Sequence, residues 1–109
     1  MNTLIIVGKL VSAPELVNGE DGKKESIITL GVKRYYENSN GEYETDFIKC
    51  VLLGNVAETT CKYCEIGDVI GIKGKLRSSK IEDSNGNTHF ETEVMADKIT
   101  FLSKGKEEK

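Results

Sequence analysis

Five stretches of this chain alternate apolar and polar residues with a period of two, and one short stretch breaks that rhythm. Nothing else in the sequence restricts the fold as much. Residues 3–10 are rich in β-branched side chains and end in Gly8-Lys9-Leu10; Pro14, the only proline, closes the run. In 26–36, Ile28, Leu30 and Val32 alternate with Thr29, Gly31 and Lys33. In 45–53, Ile48, Cys50 and Leu52 share one face and Phe47, Lys49, Val51 and Leu53 share the other. In 68–81, Ile70, Ile72 and Leu76 oppose Lys73, Lys75 and Arg77. Residues 89–102 form the fifth stretch, with a bend predicted at Met95-Ala96-Asp97, where the inward parity is hard to keep. Turn chemistry separates the strands. Residues 18–24 are a turn by composition, and Asn40-Gly41 and Asn85-Gly86 are hairpin signals.

The exception is 55–64, where Val56, Thr60 and Tyr63 fall at helical spacing. Asn55 is the predicted N-cap, Glu58 its capping-box partner and Gly67 the stop. The order is three strands, one helix, two strands. Gly8, Gly31, Gly54, Gly71 and Gly74 sit in or beside strands, where glycine marks bulges and sharp bends. The chain has 109 residues, enough for one modest core. A mainly all-β, five-stranded, partly open Greek-key barrel with one short helix between strands three and four is the OB-fold. That fold hosts many roles, so function must come from its surface.

Composition excludes several classes. Charged residues are 30% and hydrophobic residues 38%, as in a folded globular domain. No apolar run has the length of a membrane span, and nothing marks the chain for secretion. Cys50, Cys61 and Cys64 are odd in number, which points to reduced thiols and a cytoplasmic setting. Cys61-x-x-Cys64 lies within the predicted helix and lacks a second cysteine pair, so packing is its expected role. With one histidine, His89, a histidine-based metal site or a Ser/Cys–His pair is hard to assemble. The expectation is a protein that is not an enzyme and needs no metal or cofactor.

Charge is unevenly spread. The net charge is −3, from 15 basic and 18 acidic residues, which argues against bulk-charge coating of nucleic acid. Residues 68–81 nevertheless carry Lys73, Lys75, Arg77 and Lys80 against Asp68 alone. Period two puts Lys73, Lys75 and Arg77 on one face. Lys33-Arg34-Tyr35-Tyr36 leads into the first Asn-Gly turn, and Phe47-Ile48-Lys49 follows it. Aromatic rings beside cations on a sheet suit single-stranded nucleic acid, whose bases stack on rings while phosphates meet Lys and Arg. Phe47 falls opposite Ile48, Cys50 and Leu52, on the outer face. Tyr35 and Tyr36 have opposite parity, so one of them follows that face unless the strand is bulged.

Asn2-Thr3-Leu4-Ile5-Ile6-Val7-Gly8-Lys9-Leu10 with Ala13-Pro14-Glu15-Leu16 resembles the opening of bacterial single-stranded DNA-binding proteins. So does Asp46-Phe47-Ile48-Lys49-Cys50-Val51-Leu52-Leu53-Gly54 leading to Ala57-Glu58. Gly67-Asp68, Gly74-Lys75-Leu76-Arg77 and Thr92-Glu93-Val94 complete a colinear match over 1–102. The resemblance implies an OB-fold that wraps single-stranded DNA without strong sequence preference, as a homotetramer, with a dimer as the smaller possibility. It places stacking aromatics at Tyr36, or else Tyr35, and at Phe47. It places Lys9, Lys33, Arg34, Lys49, Lys73, Arg77 and Lys80 on or near the phosphate path. Leu53 and Ile81 stand where the family usually carries aromatics, so two platforms are aliphatic here. The family's carboxyl end is typically a long flexible region with an acidic, Pro- and Phe-containing tip that recruits partners; here the sequence ends at Lys104-Gly105-Lys106-Glu107-Glu108-Lys109, so either this member lacks that route or the natural chain extends further.

The expectation is therefore a DNA-binding domain over 1–103 and a short polar tail over 104–109, with no recruitment through an acidic tail. The expected setting is the cytoplasm, at the nucleoid, in DNA replication, recombination or repair. The rival is an OB-fold interaction subunit of a primosome-type complex, with weak DNA binding. A cold-shock-type RNA-binding domain is the third reading.

Overall fold

The computed structural model describes residues 1–19 and 21–105. Five long strands and one helix appear in the order the sequence predicts, with a two-residue strand added. They are β1 (Leu4–Leu10), β2 (Val17–Asn18), β3 (Lys24–Glu37), β4 (Tyr43–Leu53), α1 (Asn55–Tyr63), β5 (Val69–Glu82) and β6 (Thr88–Ser103). The unpredicted β2 pairs only with Glu25 and Lys24 of β3, folding the predicted 18–24 turn back on itself.

The sheet runs β1-β5-β6-β4-β3-β2 and closes on itself where Lys9 and Leu10 of β1 pair with Gly31 and Leu30 of β3. All pairings are antiparallel except a short parallel one, Cys50–Val94 and Val51–Met95, between β4 and β6. This is the five-stranded Greek-key barrel of the OB-fold. Leu10, Ile28, Leu30, Cys50, Leu52, Ile70, Ile72 and Val94 fill its interior. Each large aliphatic there contributes on the order of 1.5–3 kcal/mol.

Both predicted hairpin loops form, with the same hydrogen bonds. The Asn38 side-chain oxygen accepts from the amides of Asn40 and Glu42; Asp83 Oδ1 accepts from Asn85 and Asn87. The glycine of each Asn-Gly pair takes a positive φ. Each loop fixes the register of its hairpin. The β5–β6 pairing therefore runs without a break from Glu82–Thr88 back to Gly74–Ala96. There Asp97 is the extra residue of a bulge, which is the bend predicted near Met95-Ala96-Asp97.

Three local readings of the sequence are corrected. Leu76 does not join the core; it is 49% exposed. Beyond the Gly74 bulge β5 leaves the barrel while β6 stays against β4 at Val94 and Met95, and from Arg77–Glu93 outward the two strands form an arm, so along β5 the parity continues but the interior does not. Asn55 does not cap α1. The cap is Gly54, whose φ of 63° turns the chain from β4 into the helix with no intervening loop, and no side chain caps the helix. The inward stripe of α1 is Val56, Ala57 and Thr60, continued by Cys64; Tyr63 is exposed. The helix packs on β3, β4 and β6.

Asp68 ties the end of β6 to the barrel. Its buried carboxylate accepts from the amides of Glu65 at 2.9 Å and Gly105 at 2.9 Å, and Lys104 Nζ lies 4.0 Å away. Lys104 and Gly105, expected to open a free polar tail, are thus held. Residues 106–109 lie outside the described residues.

Candidate nucleic-acid interface

The outer face of the barrel carries a row of residues set by β4. Thr45, Phe47, Lys49 and Leu53 alternate with the core positions and so project together, whereas Val51, of the same parity and expected outside, is covered and only 3% exposed beside its strand partners Ile27 and Met95. Three depressions follow this row. The first, about 320 Å³, lies between Lys9, Val11, Gly31, Lys33, Thr45 and Phe47. The second, about 540 Å³, shares Phe47 and Lys49 with Leu76 of β5 and Glu91, Thr92, Glu93 and Val94 of β6. The third, about 430 Å³, holds Val51, Leu53 and Arg77, with Glu25 and the β2–β3 turn as its far wall. The second opens because β4 and β6 pair at only two positions before they diverge.

Phe47 stands at the junction of the first two depressions, with its side chain 67% exposed. It lies directly across the strand pair from Gly31. A Cβ on Gly31 would stand 3.6 Å from the ring, in ordinary van der Waals contact, so the ring lies over the Gly31 position. A flat, exposed ring held from below is a stacking surface.

The tyrosines sit further along β3. The β3–β4 register slips between Lys33 and Glu37, the stretch that holds Tyr35 and Tyr36. Tyr35 is 92% exposed, and its ring meets that of Tyr36 edge-to-face at 5.2 Å. Lys33 Nζ lies 5.4 Å from the Tyr43 ring, a cation–π contact that holds the lysine beside the first depression.

The cations that the sequence grouped are not equivalent. Among the described residues, Lys9, Lys33, Lys73 and Lys80 have no carboxylate within 4.0 Å. Arg34 makes a bidentate pair with Asp46, and Glu44 lies at 3.8 Å. Asp46 alternates with Thr45 and Phe47, so this pair occupies the reverse face of the hairpin. Hydrogen bonding to Arg34 pulls the Asp46 carboxyl below its ordinary range, and Asp46 raises Arg34 in turn. Lys75 lies 3.9 Å from Asp97.

Arg77 and Lys49 converge on Glu93. Arg77 donates to Glu93 Oε1 at 2.6 and 3.1 Å, Ser79 donates to the same oxygen at 2.9 Å, and Lys49 Nζ is 3.7 Å from Oε2. The Arg77 guanidinium holds the Glu93 carboxyl below the usual carboxylate range, against the opposing effect of burial.

Leu53 is half-exposed in the third depression, and Ile81 lies on the arm opposite His89. Sequence reasoning missed Glu93 on this surface and the exposed ring of Phe90 further out on the arm. Phe90 is 70% exposed and pairs across the arm with Lys80. Counting outward from the Asp83–Asn87 loop would have found both, since the hairpin register sets Glu93 opposite Arg77 and Phe90 opposite Lys80.

Buried Cys50 faces the core, where burial pushes its thiol up to about 11, and Cys64 is raised by the same effect. Among the described residues no three His, Cys, Asp or Glu side chains come together as a metal site. No described helix is long and apolar enough to cross a membrane.

The family model described as the single-strand binding protein family matches residues 1–102, nearly all of the barrel and arm. The chain belongs to that family. It is 33% identical over 108 residues to "Single-stranded DNA-binding protein B" of Bacillus subtilis, covering 99% of this chain and 96% of that one. It is 41% identical over 101 residues to "Single-stranded DNA-binding protein 2" of Streptococcus agalactiae, covering 93% of this chain and 76% of the relative. A "Single-stranded DNA-binding protein 2" of Listeria innocua is 36% identical over 102 residues, covering 94% of this chain and 64% of the relative. The family match runs through the Phe47 row, the arm and Asp68, so the surface just described lies wholly within it.

Proposed function

We propose that this protein binds single-stranded DNA without sequence preference and covers it during replication, recombination or repair. It acts by binding, without turnover. The carrying observation is Phe47, an exposed ring bedded on Gly31, with Lys9 and Lys33 on one side and Lys49 and Arg77 on the other. Bases stack on Phe47 and on the Tyr35–Tyr36 pair, and phosphates follow the cations. Leu53 and Ile81 give apolar contact in place of stacking. Lys73, Lys75 and Lys80 extend the basic path along β5; Arg34, turned to Asp46, contributes least.

Each site is modest, so linked sites must multiply it. A homotetramer supplies them. Its contact surface is supported by exposed Ile5, Val7 and Leu102 on the β1–β5–β6 face, with Val7 and Leu102 meeting over Gly71. The β1 edge facing β3 is paired at Lys9 and Leu10, and Gly8 lies against Gly31, leaving residues 4–7 open to another strand.

The test is fluorescence anisotropy with labelled oligo-dT of about 35 nucleotides, long enough for several OB-fold sites, against a duplex of equal length. The expected result is single-strand preference with a log–log salt slope of roughly −0.7 per phosphate neutralised. A flat salt response overturns the electrostatic reading. No preference for the single strand turns the assignment to the protein-interaction subunit.

A further inference from the structure

Glu93 is anionic, nearly buried and in the middle of a surface that should attract anions. Its side chain is only 11% exposed, whereas its cation partners Lys49 and Arg77 are each about half exposed. It takes hydrogen bonds from both Arg77 and Ser79 on a single oxygen, leaving the other toward Lys49. Two cations and one carboxylate leave one formal positive charge where composition counts two. Low exposure reduces solvent screening of this cluster relative to a surface ion pair.

We propose that Glu93 is a built-in competitor for phosphate, occupying Arg77 and Lys49 in the DNA-free protein so that a strand gains these two cations only by displacing or sharing them. This rests on the single-stranded DNA reading and specifies how the groove discriminates. A lone phosphate meets a site already filled by a carboxylate in good geometry. A strand already anchored at Lys9, Lys33 and Phe47 brings its next phosphates to the same site at high effective concentration and can compete. Glu93 is thus a positioning residue with a selective effect: it favours extended strands over isolated phosphate groups.

Glu93→Gln tests this, because glutamine keeps the shape and an acceptor for Arg77 and Ser79 while removing the charge. Binding to labelled oligo-dT of about 35 nucleotides is measured from low to moderate salt, with thermal melting as a control on folding. The expected result is tighter binding and a log–log salt slope steeper by roughly 0.7 to 1.4, for one or two cations returned to the strand. Inorganic phosphate should also compete better against the variant's DNA complex than against the unaltered one. An unchanged or shallower slope overturns the proposal and leaves Glu93 a structural brace.

Two exposed-site variants keep the proposal testable if Glu93→Gln fails to fold. Lys33→Gln removes a cation with no described carboxylate partner and should lower the slope by roughly 0.7. Lys49→Gln removes one that Glu93 already engages and should lower it by much less. Equal losses overturn the proposal. If the unaltered protein shows no single-strand binding, the reading of the groove fails and this inference falls with it. Normal binding with unchanged slopes in these variants rejects the inference alone.

Discussion

Replacing Phe47 by alanine separates a stacking surface from a packing residue. Phe47 leaves two-thirds of its surface in solvent and rests its lower face on Gly31, where a Cβ would stand 3.6 Å from the ring. Burying a whole phenylalanine is worth roughly 1.5–3 kcal/mol, so the third that is covered contributes less than about 1 kcal/mol to folding. A stacked base is worth about 1–3 kcal/mol at a comparable ring. The substitution should therefore weaken binding by about 5- to 150-fold while leaving the melting temperature nearly unchanged. The assay is anisotropy with an oligo-dT of about 8 nucleotides, short enough that one OB-fold site is read without multiplication across subunits. The salt slope should not move, because the ring carries no charge and displaces no counterions. A loss below about twofold would refute stacking at Phe47. A changed slope would show that the ring acts by placing Lys33 or Lys49 instead.

Other consequences follow from single contacts. Gly74→Ala would drive a Cβ into the Met95 carbonyl, which is backbone and cannot swing away; the expected loss is about 1–3 kcal/mol or more, read as a lower urea midpoint. Leu53→Trp should restore a stacking platform in the third depression, tightening single-strand binding by up to about 1–3 kcal/mol. The chain has no other tryptophan, so the same variant should show fluorescence quenching on binding, and neither effect would mean that this depression lies off the strand's path. Asp68 is held below its ordinary pKa first by the amide of Gly105 and then by that of Glu65. Its contribution is therefore complete above the unfolded value of about 4 and is lost as pH falls through the lower folded value. Asp68→Asn should lower the urea midpoint at pH 7 and flatten its decline on acidification; an unchanged acid profile would rule out this tie.

The alternation of apolar and polar residues carried most of the fold, because in a barrel each inward position is paid for by burial and each outward one is not. That rule placed Ile28, Leu30, Cys50, Leu52, Ile70 and Ile72 inside and Phe47, Lys49 and Leu53 outside; it put Val51 outside as well, yet Val51 is buried. It misled at Leu76, since parity belongs to a strand whereas an interior belongs to the assembled sheet. The strand outlasts the barrel by eight residues, from Lys75 to Glu82. The N-terminal cap of α1 was misread for a related reason. Asn55 has good capping chemistry, but a helix starting directly from a strand needs a left-handed turn first, and Gly54 alone supplies it. Cation pairing was the part least open to a one-dimensional reading. Counting charges along β5 makes Lys75 and Arg77 equal, yet the loop at Asp83–Asn87 sets Glu93 opposite Arg77, which it binds at 2.6 Å, and Met95 opposite Lys75, which meets only the exposed Asp97 at 3.9 Å. A hairpin loop that fixes register also decides which basic residues arrive at the surface already neutralised. The positive balance of 68–81 is therefore an upper limit on what a phosphate chain meets. Of the cations expected on the phosphate path, Lys9, Lys33, Lys73 and Lys80 have no carboxylate partner among the described residues, and Lys9 and Lys33 lie beside Phe47. A strand engaging this face would make first contact there, at the ring and its two open lysines, before reaching the Glu93 cluster.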